Sequence, residues 1–208
     1  RVDRLVEPPQ ITEFEVGLLR GSGVGALVDV VARDFHSQQI RERIDTTLSE
    51  AASLAQEDHE KPRFVFVHLP APHPPVVYGA DGSVVNGSPS ASVATAIEPP
   101  LTREEATRRQ LGEVEFMGHK VEALVRGIQE HATRPPVIVV FSDHGTDIHW
   151  DANDPLAGGV NERSSNLLAV FSPGHPGLMP SGTTPVNVLV RILSAYGIST
   201  LPVQGDTI

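Results

Sequence analysis

Two short apolar runs, separated by a long helical repeat, constrain what this chain can fold into more than any other feature. Residues 63–69 (RFVFVHL) and 136–142 (PVIVVFS) are mainly apolar, with an unbroken apolar stretch in each, and rich in β-formers. A strand buried on both faces has that pattern, whereas a half-exposed strand alternates. Between the runs, Leu111, Val114, Met117, Val121, Leu124 and Ile128 recur at steps of three and four. That spacing is the apolar stripe of an amphipathic helix. Thr102 and Glu105 stand where a capping box would open it. Strand, long helix, strand is a βαβ unit, which predicts that 63–69 and 136–142 lie parallel in one sheet. The expected fold is therefore α/β with a mainly parallel sheet.

The remaining segments fit around this unit. Thr12 with Glu15 reads as a capping box for a short helix that ends in the glycines of 21–25, and a second short helix is expected near 24–32. Ile40, Ile44, Leu48, Ala52 and Ala55 predict a helix over about 38–57. Residues 70–100, rich in Pro, Gly and Ser, read as a long loop, a length usually tied to function or disorder. A third strand is expected at 166–171. A last helix begins at Thr184-Pro185, with proline in its first turn, and stops at Gly197. No repeat and no domain boundary is visible. The division expected is a helical lead-in over 1–61 and a core over 62–208.

Bulk properties exclude several classes. The formal charge of −10 disfavours nucleic acid and anionic membrane surfaces as partners. The absence of cysteine removes disulfides, thiolate metal sites and cysteine nucleophiles. No apolar run approaches the ~20 residues that span a bilayer. The chain opens on Arg1 without a leader, which reads as a processed or trimmed piece.

Chemistry should sit at the carboxyl ends of the strands, where open α/β sheets bind ligands. Ser142-Asp143-His144-Gly145 follows one strand, and His68 and His73 fall at and just after the other. If the strands are parallel, both clusters emerge on one edge. Asp143 and His144 suit one divalent ion, because carboxylate oxygen and neutral imidazole nitrogen both ligate Zn²⁺ or Mn²⁺ at ~2.0–2.2 Å. Adjacent strand residues alternate faces, so both reach one ion only where the backbone leaves strand geometry, a freedom expected from Gly145. The competing reading is a strand-end Asp capping a turn beside a solvated His. His73, within PAPHPP, is either an imidazole held over a site by stiff prolines, part of a polyproline ligand, or a surface-loop residue. His68, inside the apolar run, reads as a core histidine. Asp147, His149, Asp151 and Asp154 read as a solvated acidic loop, the alternative being a further metal ligand or a substrate contact. The glycines of 21–25 follow a helix, not a strand, so a dinucleotide loop fails its context. Neither a GxSxG elbow nor an HExxH pair is present.

These residues bring a family into view. VIVVFSDHG resembles the SDHG or GDHG segment that closes the metal site in sulfatases, phosphonate monoester hydrolases and lipoteichoic acid synthases. FVFVHLPAPHPPVVYGADG resembles the FxFxHxxxPHpPfxfdadG segment of bacterial sulfatase-like membrane proteins. Asn161-Glu162-Arg163 with NLLAVFSPG, and TTPVNVLVRILSAYGISTLP, are similar to their later segments, in the same order. The resemblance implies the alkaline phosphatase superfamily and its three-layer sandwich. It further implies metal-dependent hydrolysis or transfer of phosphate or sulfate esters with one divalent ion (Mn, Zn, Ca or Mg). Asp143 and His144 match the family's metal ligands. His73 matches a histidine that contacts the transferring group or leaving oxygen.

One departure shapes the expectation. The family's first strand carries an acidic ligand, and the nucleophile follows it; nothing in residues 1–61 looks like either. The chain is thus expected to be the C-terminal portion of such a domain, inactive alone. It would be completed by a missing N-terminal portion or pair with another copy of itself. The parent protein would be extracytoplasmic, tethered to the membrane by upstream segments. The alternative is a non-catalytic binding or scaffolding domain that kept the fold.

Overall fold

The computed structural model describes residues 3–6, 18, 25–85, 101–146, 148–149 and 159–206. The chain divides into two compact units, Arg1–Thr133 and Arg134–Ile208. The expected helix near Thr12 and the loop residues 86–100 lie outside the described residues.

The first unit is built on two helices, α1 (Gly25–Gln56) and α2 (Arg103–His131). The two helices expected over 24–32 and 38–57 are one continuous α1. No glycine or proline interrupts 26–56, so nothing breaks the hydrogen-bond ladder between the two apolar stretches. The capping box of α2 forms as its sequence predicts: Glu105 N–H donates to the Thr102 hydroxyl at 3.2 Å, and the Thr102 N–H donates to the Glu105 carboxylate at 3.3 Å.

The helices enclose a small core of Ile44, Ala71, Val77, Tyr78 and Met117, with Ile40, Leu48, Leu69 and Phe116 packed against it. The 69–78 segment is thus a wall of the core, not a solvated loop. The apolar stripe on α2 is displaced from the sequence expectation. Leu111 and Val114 are exposed, while Glu113 and Met117 are the buried positions. Tyr78 and Phe116 pack ring to ring at 4.9 Å, and Lys120 reaches over both rings while pairing with Asp45 at 2.7 Å. Gly82, at φ 79°, lets the chain turn beneath the Phe116 ring, which a Cβ there would strike.

In the second unit β1 (Ile138–Phe141) pairs antiparallel with β2 (Leu168–Phe171), in the register Ile138 to Phe171 and Phe141 to Leu168. Short α3 (Val160–Ser164) precedes β2, and α4 (Pro185–Ala195) follows it. Proline stands at the first turn of α4 and Gly197, at φ 69°, ends it, as the sequence predicts. The Gly197 N–H donates to Ser194 O and the Ile198 N–H to Leu193 O, the paired bonds of a left-handed helix stop.

Two sequence expectations are corrected. Residues 63–69 form no strand; Phe64 and Phe66 are 79% and 71% exposed. The sheet among the described residues is two-stranded and antiparallel, not the mainly parallel sheet expected from 63–69 and 136–142. An apolar run records that a segment wants burial on both faces, but its ladder partner is a tertiary matter that the run does not encode. Among the described residues no helix is long and apolar enough to cross a membrane.

Candidate functional site

β1 ends at Phe141, and Ser142 continues its ladder by one step. The Ser142 N–H donates to Leu167 O at 3.1 Å, and the Leu167 N–H donates to the Ser142 hydroxyl at 2.9 Å. Asn166 adds a side-chain bond to Ser142 O at 3.3 Å. The Ser142 hydroxyl is thereby committed to fastening the strand end.

Asp143 and His144 emerge directly from this fastening. The Asp143 side chain is 86% exposed and that of His144 35%. The His144 N–H donates to Asp143 Oδ1 at 3.0 Å, which folds the carboxylate back over the next residue. His144 Nδ1 lies 2.6 Å from Gly145 O. A carbonyl only accepts, so Nδ1 carries the proton and Nε2 of the neutral ring offers its lone pair. Nε2 faces Asp143 Oδ2 at 3.6 Å. Two donors at that separation can both lie ~2.0–2.2 Å from one divalent ion, since the gap is shorter than twice the ligand distance. A carboxylate oxygen with a neutral imidazole nitrogen fits Zn²⁺ or Mn²⁺ in chemistry as well. Among the described residues no group of three or more His, Asp and Glu gathers around one point.

Gly145 earns its place differently from the sequence expectation. Its φ is not positive. What requires glycine is close approach: a Cβ here would lie 2.7 Å from Ser165 O and nearer still to Glu162 O. The Gly145 N–H donates to Arg163 O at 2.7 Å, so the loop lies directly on the α3 backbone.

Glu162 is the residue that sequence reasoning missed. Its carboxylate accepts from the Thr146 hydroxyl, from Ile148 N–H at 3.1 Å, from His149 N–H at 3.3 Å and from His149 Nδ1 at 2.8 Å. The Thr146 bond first, then that of His149, holds the carboxyl below the usual glutamate range. One side chain thus organises the turn that follows the Asp143-His144 pair. The Thr146 hydroxyl is thereby committed to the Glu162 carboxylate. His149 is also partnered, not freely solvated; Asp147, Asp151 and Asp154 lie outside the described residues. The signal available was the glutamate of Asn161-Glu162-Arg163, whose segment carried the resemblance but whose role did not.

His73 belongs to the other unit and is described by itself. It is exposed on a tight proline-flanked turn, with its N–H donating to Pro70 O at 3.1 Å. The Ala71-Pro72 and Pro74-Pro75 bonds are cis. Its ring Nδ1 donates to Pro74 O at 2.7 Å, so Nε2 is the free ring position. His68 is exposed beside Arg43, at 3.5 Å from its guanidinium, and is not the core histidine expected. It followed 63–69 out of the core once that run failed to become a strand.

A further polar cluster ties the end of the second unit together. Asp206 accepts from Thr184 N–H and hydroxyl at 2.9 Å each, from Asn187 at 2.6 Å and from Arg191 at 3.0 Å. These bonds, the backbone N–H of Thr184 first, hold its carboxyl far below the ordinary range. Asn187, fully buried, exchanges a pair of bonds with the Gln204 backbone. Every member is satisfied within the cluster except Arg191 Nε, which makes it a lock rather than a reaction site.

No curated protein and no solved structure matches the chain. The family model described as Sulfatase matches residues 23–200, a span that takes in the PAPHPP turn, the SDHG turn, Glu162 and α4. With most of its length matched, this chain belongs to the sulfatase family.

Proposed function

We propose that this chain supplies part of a divalent-metal site that cleaves or transfers phosphate or sulfate esters, with Asp143 and His144 as metal ligands and His73 as a substrate-contacting residue. Sulfatase-family membership supports the ester class and a divalent ion. The observation that carries the assignment to residues is the 3.6 Å approach of Asp143 Oδ2 and His144 Nε2, with the other ring nitrogen already committed to Gly145 O. An ion bound there lowers the pKa of an attached nucleophile and screens negative charge on the transferring group. Mn, Zn, Ca and Mg all remain candidates.

The chain's own residues do the rest. Gly145 and Glu162 hold the turn so that both donors face one point. His73, with Nδ1 tied to Pro74 O, turns Nε2 outward, and in the protonated ring that nitrogen donates to charge developing on a leaving oxygen. Ser142 and Thr146 are bound into the scaffold, which argues against either hydroxyl as the attacking nucleophile. The three-layer, alkaline phosphatase-like sandwich is part of this reading. The bare Phe64 and Phe66 are surface that further sheet would cover. So is placement of the parent protein outside the cytoplasm on a membrane tether.

The test is metal content of the complete protein by elemental analysis, together with metal affinity. Asp143→Ala and His144→Ala should each lower affinity by more than ~100-fold, beyond what loss of an outer-sphere partner costs. His73→Ala should keep the metal and lower turnover by about 10²–10³-fold. Unchanged metal content in Asp143→Ala removes the assignment.

A further inference from the structure

Glu113 is the one carboxylate among the described residues with no solvent exposure. It projects from α2 into the core, one helical turn before Met117. Its Oε1 accepts two successive backbone N–H groups, Val77 at 2.7 Å and Tyr78 at 3.1 Å. Its Oε2 is buried without a hydrogen-bond partner among the described residues. Burial drives the carboxyl pKa up, against the two amides, which pull it down. A carboxyl kept in an apolar core with one oxygen unsatisfied is costly. What offsets that cost is the work of the other oxygen.

What Oε1 does is hold the segment that carries His73. Val76, Val77 and Tyr78 are buried, and Tyr78 bridges Val84 across the turn, yet among the described residues no strand accepts the Val77 and Tyr78 N–H groups. The Val77 carbonyl is taken by Val85 N–H at 3.0 Å, and the Gly79 N–H by Ser83 O at 2.8 Å, on the far side of the turn. Glu113 supplies the acceptor that a neighbouring strand would otherwise provide. Upstream, Ala71 is seated in the same core, and the His73 N–H is closed onto Pro70 O. The PAPHPP turn is therefore suspended between two attachments, the Ala71 contact and the Glu113 clamp, with the His73 ring exposed between them.

We propose that Glu113 is the positioning residue for His73: by clamping the Val77 and Tyr78 amides to α2, it fixes the height and direction from which the His73 imidazole meets the substrate. The inference rests on the substrate-contacting role of His73 given above. Only one acceptor oxygen is needed, so an amide should serve and a group lacking or withdrawing that oxygen should not. A misplacement of about 1 Å can cost a reacting group ~10²-fold.

The experiment uses the complete protein with nitrophenyl phosphate, bis-nitrophenyl phosphate and nitrophenyl sulfate as probes. Glu113→Met keeps the volume and removes the acceptor. Glu113→Asp keeps the charge and withdraws the oxygen by one methylene. Glu113→Gln keeps the acceptor. Met and Asp should lower kcat by about 10–100-fold with metal content unchanged, and Gln should retain at least about a third of wild-type kcat. Amide hydrogen exchange at Val77 and Tyr78 should be fast in the Met and Asp variants and slow in the Gln variant. In a His73→Ala background, Glu113→Asp should change kcat by less than about twofold. An equal, additive loss in that background would mean that Glu113 only supports the fold, and it would overturn the proposal, as would full activity in the Asp variant. If Met does not fold, the contrast of Asp with Gln decides. His73→Ala with wild-type turnover would instead sink the reading of His73 itself, an outcome separate from the others because the Glu113 variants are then judged against an unimpaired single mutant.

Discussion

Replacing Gly145 with alanine should break the candidate metal turn from the scaffold side, without touching either donor. The added Cβ would lie 2.7 Å from Ser165 O and 3.1 Å from Glu162 C, with Glu162 O closer still. All three are backbone atoms, and carbon contacts are comfortable only at about 3.5–4.0 Å. α3 and the turn must then part by about 1 Å. That stretches the Gly145 N–H bond to Arg163 O from 2.7 Å beyond bonding range. It also loosens the bonds from Glu162 to Ile148 and His149. One lost backbone bond at about 1 kcal/mol and overpacking at about 1–3 kcal/mol give a destabilisation of roughly 2–4 kcal/mol. With a urea dependence of about 1–3 kcal/mol per molar, the unfolding midpoint of the second unit should fall by about 0.7 M or more. Metal affinity should fall by about 10–100-fold, because the Gly145 carbonyl that fixes the His144 tautomer moves with the turn. The assay is urea unfolding followed by far-ultraviolet circular dichroism, with metal titration on the same preparations. Gly118→Ala and Gly127→Ala supply the contrast. Both sit in α2 with nothing within 4 Å of an added Cβ, so the same chemical change there should stabilise by about 0.5–1 kcal/mol. A Gly145→Ala protein with an unchanged midpoint and unchanged metal affinity would refute the close-approach argument.

Two further outcomes follow from buried polar groups. Asn187→Ala removes the paired bonds to Gln204 and the bond to Asp206 from a fully buried site, and should destabilise the second unit by about 2–4 kcal/mol, read as a lowered thermal midpoint. Glu113 has a raised folded-state pKa, so its contribution is fully present below the ordinary glutamate value of about 4.5 and is lost as pH rises through the folded value. The stability of wild type relative to Glu113→Gln should therefore decline as pH rises from about 4.5 to the raised folded-state value, and level off above it, measured by denaturant midpoints across the range. A constant difference would show that the folded-state value is not raised above the unfolded one.

Local chemistry was legible where the determinants were local. The α2 capping box, the proline entry and glycine exit of α4, and the runs that became β1 and β2 all depend on residues within a few positions of one another. The Asp143-His144 pair was legible for the same reason, as two adjacent donors at a strand end. The reason assigned to Gly145 was not, because the atoms that exclude a side chain come from Glu162 and Ser165, far along the chain.

By itself the sequence determined the bounds of α2 and α4, the second apolar run as strand, the place of Asp143 and His144 at a strand end and the family, since each rests on spacing, propensity or short motifs. Tertiary structure alone decided the rest. It chose β2 as the partner of β1, and antiparallel, because ladder pairing joins residues some thirty positions apart with no local mark. It left 63–69 bare, since an apolar run states a need for burial and not what meets it. It turned α2 so that Glu113 entered the core in place of Leu111 and Val114. The periodicity of a helix gives the spacing of a stripe; which flank of the stripe is covered depends on the segment that packs there. In this chain that segment offers two amide donors, and only an acceptor in the core could satisfy them.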